Sequence, residues 1–157
     1  MTSAIRSLEK GSYHDLQILN NLYLHCKTSA EMIELMKELN QRLEQSFHRS
    51  LNQIACALSI DNSGEHSLAL QQLKVLSSNL NAQSTYLKAE YYAALGKIAY
   101  RSENPKAAVR HYKTGIGFLE KCNELEALQI AHTNLGLAFG ALDQHETAPV
   151  QYDKASK

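Results

Sequence analysis

Apolar residues recur at spacings of three and four along most of the chain, and this spacing is typical of amphipathic helices. The first such stripe lies between residues 13 and 26 and predicts a helix there. A second stripe follows the sequence Thr28-Ser29-Ala30-Glu31, which matches the capping box found at helix starts. It continues without interruption from Met32 to Leu58, so it predicts either one helix over residues 29–60 or two helices separated near residues 48–50.

Turn and capping residues divide the next part of the chain into further helices. The sequence Asp61-Asn62-Ser63-Gly64 favours a turn, because Asn and Gly tolerate positive φ and Asp and Ser bond to their own backbone. A helix is predicted over residues 65–80 and, after a polar segment, another over residues 85–101. Asn104-Pro105 starts the following helix, because Asn caps the first turn and Pro loses no amide partner at the first helical position.

The C-terminal part of the chain predicts two more helices. Asn123 and Glu126 repeat the capping pattern before a helix over residues 124–142. A last helix is expected to start near Gln144 or, because Pro149 would interrupt it, near Thr147. The whole chain predicts about seven or eight helices and no strand, which is an all-α fold.

A short set of residues recurs at a constant offset of forty: Leu95, Gly96, Ala108 and Tyr112 return as Leu135, Gly136, Ala148 and Tyr152. Fixed periods of this length are typical of stacked helical repeats. Glycine inside a helix costs about 1 kcal/mol relative to alanine, so two glycines at matched positions indicate a use. We expect each glycine to face the alanine of the next helix, with the tyrosine packed over the gap.

This pattern resembles the tetratricopeptide (TPR) repeat family, whose helix pair places Leu-Gly and an aromatic residue on the first helix and Ala, an aromatic residue and Ala on the second. The two last units carry the residues named above, and the final unit also has Phe139 at the aromatic position of its first helix. The resemblance divides the chain into an N-terminal helical segment and three repeat units, over residues 1–47, 48–80, 85–122 and 124–157.

The resemblance implies a right-handed superhelix of antiparallel helix pairs, with a concave groove lined by the first helix of each pair. The offset of forty exceeds the 34 residues usual in the family, as in the elongated repeats of bacterial regulatory proteins. No further helix is expected to cover Val150, Tyr152 and Ala155. The resemblance therefore implies the N-terminal regulatory or assembly module of a larger bacterial signalling protein, or a homodimer.

Charge and composition restrict the function classes. Sixteen basic and sixteen acidic residues give no net charge, which argues against generic nucleic-acid binding. The chain has no apolar run of signal-peptide or membrane-spanning length, so a cytoplasmic protein without a membrane span is expected. The three cysteines, Cys26, Cys56 and Cys122, are odd in number and widely spaced, which predicts reduced thiols.

Signatures of catalysis and metal binding are missing from the sequence. The seven histidines have no H-E-x-x-H spacing. There is no G-x-S-x-G motif, phosphate-binding glycine loop or dinucleotide fingerprint. We therefore expect a protein that is not an enzyme and that carries no metal and no cofactor.

A cationic and aromatic strip on the predicted groove is the candidate binding site. If the TPR geometry holds, the second unit presents Lys97, Tyr100 and Arg101 there. Lys97 and Arg101 are one helical turn apart and share a face, which suits a peptide carboxylate or an acidic side chain. An ordinary solvated basic face is the alternative interpretation.

The neighbouring units contribute different side chains to this groove. The third unit offers Thr133, Asn134 and Leu137 in the comparable region, and the first offers Asn52 and Cys56. The full carboxylate clamp of the family is therefore absent, and Asn134 is the one further candidate for contact with a partner.

The functional hypothesis is a non-catalytic protein–protein interaction scaffold that binds a protein or peptide partner, because stacked helix pairs form extended concave surfaces. The alternative is a sensor domain that binds a signalling peptide or a small ligand in the groove.

Overall fold

The computed structural model describes residues 1–9 and 12–146, and over these residues the chain forms eight α-helices, one 3-10 helix and no strand. The all-α prediction is confirmed for this part of the chain. The α-helices are α1 (Thr2–Arg6), α2 (Tyr13–Leu22), α3 (Ser29–Arg42), α4 (Ser46–Asn62), α5 (His66–Lys74), α6 (Thr85–Arg101), α7 (Pro105–Leu119) and α8 (Leu125–Glu146), and the 3-10 helix covers Ser77–Ala82.

Side-chain caps explain several helix starts. Thr28 Oγ1 accepts a hydrogen bond from the Glu31 amide at 3.2 Å, before α3. Ser84 Oγ accepts one from Leu87 before α6, and Asn104 Oδ1 accepts one from Ala107 before α7. Each such cap stabilises a helix by about 1 kcal/mol. The predicted helix over residues 85–101 and the start at Asn104-Pro105 are confirmed.

The long apolar stripe from Met32 to Leu58 covers two helices, and the predicted break near residues 48–50 is wrong because it lies earlier, between α3 and α4. Leu43 leaves the helix with ψ of 119° yet remains buried, so the stripe continues through the break. Arg49 Nη1 donates to the carbonyls of Leu43 and Glu44 at 2.7 and 2.9 Å. This guanidinium satisfies backbone acceptors that the end of α3 leaves open. The expected boundary between residues 47 and 48 falls in the first turn of α4.

Two predicted helix ends are also wrong. The helix expected over residues 65–80 ends at Lys74, and Asn79 has non-helical angles inside the 3-10 helix that follows. Serine and asparagine compete with the helix for backbone hydrogen bonds, which accounts for the early end. The helix expected to stop near residue 142 continues to Glu146, so no new helix starts at Gln144. The start near Thr147, and the residues Ala148, Pro149, Tyr152 and Ala155, lie outside the described residues.

The helices pack mainly on neighbours in chain order. Helix α4 contacts α2, α3, α5 and α6, while α7 packs between α6 and α8. The buried apolar cluster is continuous from Leu16 on α2 to Leu142 on α8. These packed pairs join helices that are next or next but one in the chain.

A buried asparagine joins the first three large helices. The Tyr23 hydroxyl donates to Asn52 Oδ1 at 2.6 Å, and Asn52 Nδ2 donates to the Met36 carbonyl at 3.2 Å and to Asn40 Oδ1 at 2.9 Å. Asn52 and Cys56 have no exposed surface, so their expected position in a groove is wrong. Both residues belong to the core.

The predicted packing of Tyr112 on Gly96 is confirmed, but the nearest atoms to this glycine all belong to Tyr112 and none to Ala108, the residue it was expected to face. A Cβ atom at this position would lie 2.6 Å from both Cδ1 and Cε1 of the buried Tyr112 ring. No side chain fits there without moving that ring. At Gly136, a Cβ atom would meet no described atom within 4 Å, and its expected neighbours Ala148 and Tyr152 lie outside the described residues.

Substituting Gly96 tests this contact. We expect Gly96→Ala to lower the free energy of unfolding by about 1–3 kcal/mol, because the added methyl group overpacks the α6–α7 interface. Gly117→Ala is the matched control, since a Cβ atom at this glycine of α7 meets nothing within 4 Å. The control should be neutral or stabilising by up to about 1 kcal/mol. Equal stability of the two variants in urea unfolding would contradict the packing role of Gly96.

Candidate functional site

Helices α6 and α8 bring all four predicted contact residues to one cavity. This cavity has a volume of about 180 Å³ and is lined by Lys97, Tyr100, Arg101, Tyr112, Asn134 and Leu137. Tyr100 and Leu137 are exposed large apolar residues at its edge, with 37% and 50% of their surface accessible. The cavity therefore combines two cations, an amide and an apolar rim.

The position of Arg101 is fixed by the end of α4. Arg101 Nη1 donates to Asn62 Oδ1 and lies 3.5 Å from Asp61 Oδ2. Asp61 is almost fully buried, and its other carboxylate oxygen lies 2.5 Å from His66 Nδ1. The guanidinium is thus partly engaged inside the protein. Lys97, by contrast, has no ion pair within 4 Å anywhere in the described residues.

A larger cavity adjoins this one at the same two cations. Its volume is about 400 Å³, and it lies between α2, α4 and α6. Lys97 and Arg101 line both cavities, and the larger one adds the amide side chains of Asn20, Asn21 and Asn62. Together the lining residues of the two cavities come from α2, α4, α6 and α8 and from the segments next to them.

A third and smaller cavity lies behind Lys97, between α2, α6 and α8. Its volume is about 50 Å³, and its polar lining consists of Tyr13, Asn20, Glu90, Lys97 and Asn134. Glu90 is buried, and this burial raises its pKa to about 7 although Lys97 opposes the shift. Burial also lowers the pKa of Lys97, against the opposing effect of Glu90. Both groups hold their charge less strongly than they would in water.

The sequence patterns did not identify Glu90 or the burial of Asp61. Glu90 lies three residues after Leu87 and four before Ala94, within the apolar stripe of α6. A charged residue inside such a stripe is the signal that could have revealed it. The residue types around Asp61 predict a turn, whereas Asp61 lies in the last turn of α4 and is buried. No local pattern indicates this burial.

Other candidate chemistry in the described residues is structural. No group of three or more His, Cys, Asp or Glu side chains in residues 1–9 and 12–146 is arranged to hold a metal ion. The three cysteines are free thiols, and burial raises the pKa of Cys56 to about 12. His48 Nε2 lies 2.6 Å from the Glu9 carbonyl and 3.0 Å from Asp15 Oδ2, which fastens the N-terminal segment to α4.

No described helix has both the length and the apolar character needed to cross a membrane. No family model, curated protein or solved structure matches the chain. The resemblance to TPR repeats thus rests on the sequence pattern alone.

The raised pKa of Glu90 predicts a pH-dependent stability. Folding favours the neutral carboxyl group, so its contribution is fully present below about pH 4.5, the ordinary pKa, and is lost as pH rises through about 7. The full cost of charging it in the folded protein is about 3 kcal/mol. We therefore expect Glu90→Gln to raise the melting temperature at pH 8 and to have little effect at pH 4.5.

The control for this measurement is Glu44→Gln, at an exposed position between α3 and α4. It should leave the pH profile of the melting temperature unchanged. A Glu90→Gln profile parallel to that of the wild type would show that Glu90 is not the titrating group.

Proposed function

We propose that this protein is a non-catalytic interaction scaffold that binds an acidic segment of a partner protein in the cavity around Lys97. The observation that carries this proposal is the convergence of Lys97, Tyr100, Arg101 and Asn134 on one cavity. The ammonium group of Lys97 is the recognition element, because its charge has no ion-pair partner within 4 Å in the described residues.

We further propose that the helices form a right-handed superhelix of antiparallel pairs of the TPR type. Three-residue connections at residues 63–65 and 102–104 return the chain on itself, which favours antiparallel neighbours. The contact of Gly96 with Tyr112 and the packing in chain order support the same arrangement.

The side chains around the cavity suit a carboxylate flanked by apolar groups. Lys97 supplies three N–H donors and Asn134 supplies two more. Hydrogen bonds from a charged donor to a carboxylate are stronger than neutral ones, and partial burial of Lys97 reduces competition from water. Tyr100 and Leu137 offer apolar surface to the neighbouring residues of the bound segment.

The presence of two adjoining cavities with shared cations favours a peptide over a compact ligand. The cavity of about 400 Å³ continues from Lys97 toward α2 and presents three amide side chains. Amides can both donate to and accept from the backbone of an extended segment. A small-ligand sensor is the alternative function, and the small cavity at Glu90 is the observation that favours it.

Fluorescence anisotropy with labelled octapeptides tests the proposal. One set carries a single Glu between Leu residues, and the matched set carries Gln instead. We expect the Glu peptides to bind the wild type at least about tenfold more tightly, because a charge-assisted bond contributes roughly 1.5–3 kcal/mol. Lys97→Met should abolish this preference.

The matched control is Lys106→Met, which removes an exposed charge from α7 away from the cavity. It should retain the preference for Glu. Equal affinity of the Glu and Gln peptides for the wild type, or an unchanged preference in Lys97→Met, would refute the proposed function.

A further inference from the structure

The small cavity between α2, α6 and α8 is lined by an acidic and a basic side chain that do not touch each other. Glu90 and Lys97 both line it. Within the described residues, neither side chain has an ion pair within 4 Å. The two charges face the same small space from the same helix, with the cavity between them.

Glu90 and Lys97 lie two helical turns apart along α6. Residues seven apart lie on one face of an α-helix, with Cα atoms about 10.5 Å apart. The other polar groups of the cavity come from different helices: Tyr13 and Asn20 from α2, and Asn134 from α8. The remaining lining is apolar. A mostly apolar cavity with a few convergent polar groups is the usual form of a small-molecule site.

Glu90 is buried beside the neutral Tyr86 hydroxyl, and neither Glu90 nor Lys97 has an ion-pair partner within 4 Å in the described residues. A molecule that forms an ion pair with each of them would therefore bind with an advantage. The molecule must present a cation to Glu90 and an anion to Lys97. A volume of about 50 Å³ is smaller than a free amino acid, so this cavity holds only the part of the molecule that lies between the two charges. Any longer side chain would have to extend into the cavity of about 180 Å³, which Lys97 and Asn134 also line.

We propose that this cavity binds a small zwitterion, with its ammonium group at Glu90 and its carboxylate at Lys97. Free α-amino acids are the simplest members of this class. The inference rests on the proposed function in one respect: Lys97 binds the carboxylate of the partner segment there and the carboxylate of the zwitterion here. It adds a ligand class that the peptide cavity does not require.

Calorimetric titration with alanine, propionate and ethylamine tests both ends of the site. Propionate lacks the ammonium group of alanine, and ethylamine lacks its carboxylate. We expect alanine to bind the wild type at least about tenfold more tightly than either analogue, because each lost charge-assisted bond costs roughly that factor. If alanine binds no more tightly than its analogues, or not at all because the cavity holds only water, the inference is overturned.

Substitutions of Glu90 and Lys97 test which residue binds the ammonium group of the ligand and which binds its carboxylate. Glu90→Gln should reduce alanine affinity to that of propionate while leaving propionate affinity no weaker. Lys97→Met should reduce alanine affinity to that of ethylamine, and Lys106→Met should behave as the wild type. Retention of full alanine affinity in Glu90→Gln would overturn the inference.

The dependence of affinity on pH gives a readout that needs no variant. Glu90 must be ionised to hold an ammonium group, and its pKa is about 7 in the free protein. The ratio of alanine affinity to propionate affinity should therefore increase roughly tenfold from about pH 6 to about pH 8. A ratio that does not change with pH would count against the inference.

Other groups near Glu90 do not produce this change in the ratio. Burial raises the pKa values of Tyr86 on α6 and Tyr13 on α2, so both stay neutral. Glu124, before α8, also acts on Glu90. Glu124 does not line the cavity, so its carboxylate does not contact a molecule bound there. Lys97 affects alanine and propionate alike, so its titration cancels in the ratio.

The same preparations separate the two hypotheses. If alanine shows no advantage but the octapeptides still require Lys97, the zwitterion site is rejected and the proposed function stands. If the octapeptides show no preference for Glu but alanine binding requires both Glu90 and Lys97, the peptide function is rejected and the small-ligand sensor is favoured.

Discussion

Helix α4 is enclosed by other helices, and the rest of the structure depends on how its polar side chains are satisfied. Residues 50–57 are all buried, including polar ones. A buried polar group is costly unless it is hydrogen-bonded. Asn52 bonds to Tyr23 and α3, and Gln53 Nε2 donates to the Gln72 carbonyl on α5 at 2.7 Å. Asn52 and Gln53 therefore fix the end of α2, α3 and α5 relative to α4.

The last polar residue of this series connects the core to the candidate site. Asp61 is held by His66 at the start of α5 and by Arg101 at the end of α6. The ion pair with Asp61 Oδ2, an oxygen that has no hydrogen bond in the described residues, also orients the guanidinium where the two cavities meet. Packing of α4 thus determines which cation is engaged internally and leaves Lys97 as the available one.

Local signals were enough to predict the parts of the fold that local chemistry controls. Ser84 and Asn104-Pro105 define the starts of α6 and α7, and Gly96 indicates its contact with Tyr112. The break after α3 could not be predicted in the same way, because Leu43 keeps the apolar period while the backbone leaves the helix.

The candidate site was predictable to a similar extent. The spacing of Lys97, Tyr100 and Arg101 placed them on one face of α6, and the cavity that they share with Asn134 agrees with that placement. The burial of Glu90 and Asp61 depends on helices that are distant in sequence. The residues next to them in sequence do not indicate which helix will cover their side chains. Their burial is therefore seen only in the tertiary structure.

Packing in chain order has a consequence for how the protein folds and opens. Contacts between neighbouring helices close short loops, and helical proteins with such local contacts fold within microseconds to milliseconds. A helix with few buried residues can also separate without unfolding the others. Helix α1, which has no buried residue, would exchange its amide hydrogens first, and α4, which has eleven buried residues, would exchange them last.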